Sequence, residues 1–161
     1  MKYFIIIRGP LGIGKTTIAK NLAKKLNGYY VSIDKILEKN KLDKVKGKSI
    51  PLKNFIKATE IEIPSIKKKL TTKPIIFDGN FYHKQQIRHM IRKLNAPHHI
   101  FTLKAPIELC VKRDSGRKKA YGKAATYQVY KLVSKFDSGK SIDVKNKTVN
   151  SIVKEIISSI K

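Results

Sequence analysis

A single cysteine, Cys110, stands among the 161 residues of the chain. One thiol excludes an internal disulfide and any cysteine-built zinc cage, and it suits a reducing compartment, so the cytoplasm is the expected location. The histidines add no metal site. His83 and His89 are six apart, which fits no helical ligand pair, and His98-His99 opens a strand-like segment. No apolar run approaches the roughly 20 residues that cross a bilayer. The apolar opening Tyr3 to Arg8 is short and runs into glycines, which marks a buried strand and not a signal peptide. Repeats, low-complexity tracts and Pro/Gly-rich linkers are also missing, so one domain over residues 1–161 is expected.

Acidic residues are scarce: 11 Asp and Glu face 36 Lys and Arg, for a formal charge of +25. The excess is spread evenly, +12 over residues 1–80 and +13 over residues 81–161. No basic arm results. Most of the charge is lysine, which suits a solvated surface, whereas arginine's planar fork suits bidentate phosphate recognition. A lysine-coated surface and a polyanion-binding role both remain open on composition.

Apolar segments alternate between strand-like and helix-like patterns, which predicts a parallel sheet covered by helices. Strands are expected at Tyr3–Arg8, Tyr29–Ile33, Pro74–Phe77, His98–Leu103 and Ser141–Val144. Helices are expected from Lys15 to Leu26, where Ile18, Leu22 and Leu26 recur every four residues, and over Lys35–Lys39, Leu52–Leu70, Lys84–Leu94, Pro106–Asp114 and Ala124–Phe136. A final helix is capped by Thr148. Pro64 lacks the amide of the backbone ladder and should kink or split its helix. Asn40–Pro51 reads as a mobile polar loop. The result is a three-layer α/β sandwich on a five-stranded parallel sheet, with ligands at the carboxyl ends of the strands.

Gly9-Pro10-Leu11-Gly12-Ile13-Gly14-Lys15-Thr16 fits G-x-x-x-x-G-K-[ST] in full, between a predicted strand and a predicted helix. Its glycines let backbone amides, that of Ile13 among them, curl around phosphates at the positive end of the following helix. Lys15 reaches the β and γ phosphates, Thr16 offers a hydroxyl to magnesium, and Thr17 can meet the α-phosphate. A switch GTPase would also need D-x-x-G after strand three and a late N-K-x-D. Asp78-Gly79-Asn80-Phe81 lacks the second glycine, and Asn40-Lys41-Leu42-Asp43 comes too early to reach a base.

Three further segments extend the pattern: Val31-Ser32-Ile33-Asp34, Ile75-Ile76-Phe77-Asp78-Gly79-Asn80 with Arg88 downstream, and Glu108–Asp114 with the basic stretch behind it. Together with the glycine loop they resemble the small P-loop kinases, particularly the branch of adenylylsulfate kinases and the kinase domain of polynucleotide 5'-hydroxyl kinases. The resemblance implies ATP and Mg2+ as cofactors, Asp34 as the group that takes the acceptor hydroxyl's proton, Asp78, Asn80 and Arg88 as substrate-side residues, and a basic lid over residues 113–124. Carboxylates ending strands beside the glycine loop point at the ligand crevice, and Asp78 follows the strand that usually neighbours the first one, so it takes the metal side with Thr16. In the lid a helical turn would bring Arg113 and Arg117 over the phosphates, to stabilise transition-state charge together with Lys15. Ser115-Gly116 and Gly122 would be its hinges.

The acceptor region is expected at residues 35–70. Leu37 stands where polynucleotide kinases usually carry an arginine, and the region has no arginine to hold an adenylylsulfate. The expectation is therefore transfer to the hydroxyl of a small molecule. A polynucleotide 5'-hydroxyl kinase and a non-catalytic ATP-binding or nucleic-acid-binding module are the alternatives.

Overall fold

A computed structural model describes residues 2–46 and 49–161. Five parallel strands, β1 (Phe4–Arg8), β2 (Tyr29–Ser32), β3 (Ile75–Gly79), β4 (His98–Lys104) and β5 (Lys140–Asp143), form one sheet in the order β2-β3-β1-β4-β5. Every residue of β1 and β3 is buried, because helices cover both faces of these central strands. The side-chain period of two divides the core accordingly.

Phe4, Ile6, Ile75 and Phe77 face a layer formed by α2 (Ile33–Lys39), α3 (Leu52–Leu70), α4 (Lys84–Leu94) and the end of α6 (Lys123–Val133). Ile5, Ile7 and Ile76 face α1 (Lys15–Lys25), α5 (Ile107–Ser115) and α7 (Val149–Ser159). Cys110 lies in the second layer, fully buried, and burial pushes its thiol's pKa up. It is a core residue.

The three-layer α/β sandwich on a five-stranded parallel sheet is thus present, with element ends shifted by one to three residues. One expectation is corrected. Pro64 neither splits nor interrupts its helix: α3 runs unbroken over 19 residues. Phe55, Ala58, Thr59, Ile63, Ile66 and Leu70 bury one face of it, while Pro64 stands on the exposed side, where water can take the carbonyl that loses its donor. The described parts of the Asn40–Pro51 loop are tethered. The Leu42 amide donates to the Leu37 carbonyl at 2.9 Å and the Asn54 side chain donates to the Leu42 carbonyl at 2.9 Å. The Ile50 amide donates to the Tyr82 hydroxyl at 3.0 Å. Gly47 and Lys48 lie outside the described residues.

Candidate functional site

The glycine loop joins β1 to α1 at the carboxyl end of the sheet. Gly12 has φ 76° and Gly14 φ 97°, and a Cβ on Gly12 would come within 2.3 Å of the Cys110 carbonyl oxygen. Only glycine satisfies both demands at Gly12, a left-handed backbone and contact with the next layer. Gly14 caps α1 with no side-chain acceptor and no acidic residue follows in the first turn, so the helix's free amides face the loop.

Gly12, Gly14, Lys15, Thr16 and Thr17 line a cavity of about 370 Å³ together with Arg113 and Arg117. Gly9 and Ile13 are buried behind it, and Ile13 turns its carbonyl to Arg113, whose Nη1 donates to it at 3.2 Å. Lys15 Nζ donates to the Pro10 carbonyl at 2.7 Å. Burial lowers the Lys15 pKa, while Asp78 and then Asp34 act in the opposite sense. A lysine held among amides and arginines is a site made for a polyanion. Arg113 also lines a second hollow with Pro106, Glu108, Leu109, Lys112 and the Lys145–Lys147 turn.

Asp78, 5% exposed at the end of β3, is the structural partner of the loop. Its Oδ2 accepts from Thr16 Oγ1 at 2.7 Å and from the Tyr30 hydroxyl at 2.7 Å. Burial and the bond to Asp78 push the Tyr30 pKa up to about 12, so the phenol stays protonated and keeps donating. Parallel pairing of β1 with β3 sets Ile7 opposite Asp78, which places the carboxylate beside the glycine loop. These are oxygen donors only, as magnesium requires, and no group of three or more His, Cys, Asp and Glu forms a metal cage among the described residues. A magnesium ion here would draw most of its remaining ligands from phosphates and water, its usual arrangement at nucleotide sites.

Asp34 sits in the first turn of α2, two residues past the end of β2 and not directly at the strand end as expected, because Ser32 caps that helix by accepting from the Lys35 amide at 3.3 Å. Burial raises the Asp34 pKa, Lys15 pulls it down, and Asp78 and Glu38 push it up again. Asp34 opens onto a second cavity of about 290 Å³, which also contains Leu11 of the glycine loop, Leu37, Glu38, Asp43, Asn80, Tyr82 and Tyr121. Asp34 and Asn80 are therefore brought together there. Arg88 is not: it is exposed on α4 and is absent from the described linings of both cavities.

The basic segment after α5 differs in form from a helical turn. Asp114, 2% exposed, accepts from the amides of Tyr121 at 3.2 Å and Gly122 at 3.0 Å and folds residues 115–122 into a compact loop. Arg113 and Arg117 still reach the phosphate cavity, while Lys118 and Lys119 are exposed and outside its described lining. Asp114, Tyr30 and Tyr82 were not singled out from sequence. Only the acid at the end of a basic lid entry offered a signal.

The fold, the glycine loop and the paired Thr16 and Asp78 define a P-loop phosphotransferase of the kinase type. The chain belongs to the family described as AAA domain (AAA_33), whose model matches residues 4–136. It is similar to a Pyrococcus abyssi protein provisionally named adenylate kinase, 29% identical over an alignment of 172 positions that covers 98% of this chain and 83% of the relative. An adenylate kinase of Mycoplasmopsis pulmonis is 27% identical over 154 positions, 89% of this chain and 71% of the relative. In fold it is similar to a sugar kinase from Janibacter, with TM-score 0.80 and 15% identity over 99% of this chain and 95% of the other.

Proposed function

We propose that the chain transfers the γ-phosphate of ATP to a hydroxyl group of a small-molecule acceptor. One observation carries this reading: the glycine loop contributes to both the phosphate cavity, with Lys15 and Thr16, and, through Leu11, a second cavity that contains Asp34 and Asn80. A donor and an acceptor that share one loop can be aligned for in-line displacement.

In this mechanism the loop amides and the α1 N-terminus hold the β and γ phosphates, and Thr17 meets the α-phosphate. The hollow on the Pro106 side of Arg113 takes the nucleoside. Thr16 and Asp78 would hold magnesium, which would supply charge neutralisation for the phosphates. Lys15 leaves the Pro10 carbonyl for the γ-phosphate. Asp34 accepts the proton of the attacking hydroxyl, and Asn80 orients that hydroxyl. Arg113 and Arg117 stabilise the charge that spreads over the transferring group. Arg88, exposed on α4, has no part in this mechanism.

A second reading, transfer to adenylate, is favoured by the name of both relatives. Against it stand the carboxylates of Asp34, Glu38 and Asp43 in the lining of the acceptor cavity, which would repel a phosphate. ATP labelled in the γ-phosphate, presented with sugars, amino sugars, nucleosides, 5'-hydroxyl oligonucleotides and AMP, tests the choice. Label in a small hydroxyl compound supports the proposal. Label in AMP or in the oligonucleotide moves the acceptor class, and ATP binding without transfer to any acceptor means a non-catalytic nucleotide-binding module.

A further inference from the structure

Asp78 uses its two carboxylate oxygens unequally. Thr16 Oγ1 and the Tyr30 hydroxyl both donate to Oδ2, each at 2.7 Å, and Oδ1 accepts no hydrogen bond among the described residues. The first donor opens α1 and belongs to the glycine-loop motif, whereas the second comes from β2, the strand at the edge of the sheet. Phosphate chemistry explains Thr16 and does not call for Tyr30.

Strand register explains how Tyr30 arrives there. Parallel pairing of β2 with β3 sets Tyr30 opposite Ile76 and Ser32 opposite Asp78, so Tyr30 lies two residues short of the carboxylate on the face that Ile76 turns to α1. Two strand residues span about 6.6 Å, a gap that a tyrosine's ring and hydroxyl bridge and a serine or threonine side chain does not. The ring is half-buried against that helical layer, with Lys20 Nζ 5.4 Å from its centre, and its packing fixes where the hydroxyl stands. The kind of donor matters as well. A lysine of similar reach would cancel the charge of Asp78, while a phenol holds the carboxylate through a neutral hydrogen bond and leaves its negative charge for a cation.

We propose that Tyr30 is a positioning residue for the metal side of the site: it pins Oδ2 of Asp78, leaves Oδ1 for the cation, and so favours a cation that takes a single oxygen from this carboxylate. The inference rests on the reading of Thr16 and Asp78 as the magnesium side. One donor would let the carboxylate pivot about a single bond, and a second donor from a different element stops it. Magnesium is bound through one or two carboxylates in a strict octahedron, whereas calcium readily takes both oxygens of one carboxylate. With two hydroxyls on Oδ2, Asp78 is a poor two-oxygen ligand. Tyr30 thereby selects magnesium against calcium.

Calorimetric titration of ATP into the wild-type protein, Tyr30→Phe and Lys20→Gln, each with magnesium, with calcium and with chelator, separates the hydroxyl from the ring. Phenylalanine keeps the packing, and thermal melting checks the fold. In the wild type, magnesium should tighten ATP binding relative to chelator. Tyr30→Phe should cut that gain by about tenfold, the lower end of the cost of losing a group that orients a metal ligand, while metal-free ATP affinity stays within about twofold. It should also discriminate less between magnesium and calcium. Lys20→Gln, which removes the cation over the ring and spares the hydroxyl, should keep the wild-type gain. Tyr30→Phe combined with Asp78→Asn should lose no more than Asp78→Asn alone, because Tyr30 acts through that carboxylate. An undiminished magnesium gain in Tyr30→Phe overturns the inference, as do equal losses of ATP affinity with and without metal, or additive losses in the double variant. The expected loss in Tyr30→Phe, with no label transfer by the wild type to any acceptor, would sink the phosphotransfer reading and leave the role of Tyr30 standing. Transfer by the wild type with an unchanged magnesium gain in Tyr30→Phe would do the reverse.

Discussion

Arg8 Nε donates to the carbonyl of Phe81 at 3.3 Å, and Phe81 is held at φ 48°, a left-handed conformation that bulky side chains rarely adopt. Fully buried at the end of β1, the guanidinium also donates to the carbonyls of Val133 and Phe136 and to the Thr102 hydroxyl, each at 3.1 Å, and stacks on the Phe136 ring. It joins the loop after Asp78, which carries Asn80 and Tyr82 of the acceptor cavity, to the end of α6, the helix whose Ala125, Gln128 and Val129 line that cavity. Burial lowers its pKa to about 10, so it remains charged at neutral pH. Arg8→Met should cost at least about 2 kcal/mol in denaturant unfolding, since several carbonyls lose a charged donor. Where the variant still folds, acceptor KM should rise more than ATP KM.

The two aspartates are expected to fail differently. Asp34→Asn should lower kcat by about 10²- to 10⁴-fold, the usual range for a lost general base, with MgATP affinity within about threefold. Asp78→Asn should raise the magnesium concentration needed for half-maximal rate, because Thr16 loses the carboxylate it donates to. Titrating magnesium with each variant separates the roles, and exchanged phenotypes would reverse the assignment.

Acidity gives an independent check on Asp34. A base works deprotonated, and burial raises the pKa of Asp34, so kcat should fall on acidification at a pH above the ordinary aspartate value of about 3.9. Lys15 and Arg117 limit that displacement. The acidic limb should vanish from the residual rate of Asp34→Asn. A limb that persists unchanged in that variant belongs to another group.

Asp114 supports the lid through two backbone amides. Asp114→Ala should free the loop that positions Arg117, raise the KM for ATP several-fold and increase protease sensitivity within residues 115–122. Equal ATP KM and unchanged cleavage would mean that the loop holds its shape without this residue.

The strand and helix order was legible in the sequence because six-residue apolar runs ending in glycine or aspartate alternate with four-residue periodicity, as at Tyr3–Arg8 and Ile18-Leu22-Leu26. The glycine loop was legible as chemistry, since its residue types are dictated by phosphate. Continuity of α3 through Pro64 was not, because proline's local penalty is visible in sequence and the apolar face that offsets it is a tertiary fact. The acceptor cavity was half legible. Leu37, Glu38 and Asp43 fall in the region assigned to it, but Tyr121, Ala125, Gln128 and Val129 come from the lid and α6, some 80 residues away, and α3 contributes none of the described lining. Asp43, discounted as part of a chance N-K-x-D match, is one of its three carboxylates.

The account stands most directly on label transfer by purified Lys15→Ala beside the wild type, with folding of both checked by circular dichroism. Wild-type protein should move the γ-phosphate from MgATP to a small hydroxyl acceptor, and Lys15→Ala, which deletes the contact to the β and γ phosphates, should show no transfer above background while keeping its fold. Undiminished transfer by the folded variant would contradict the account.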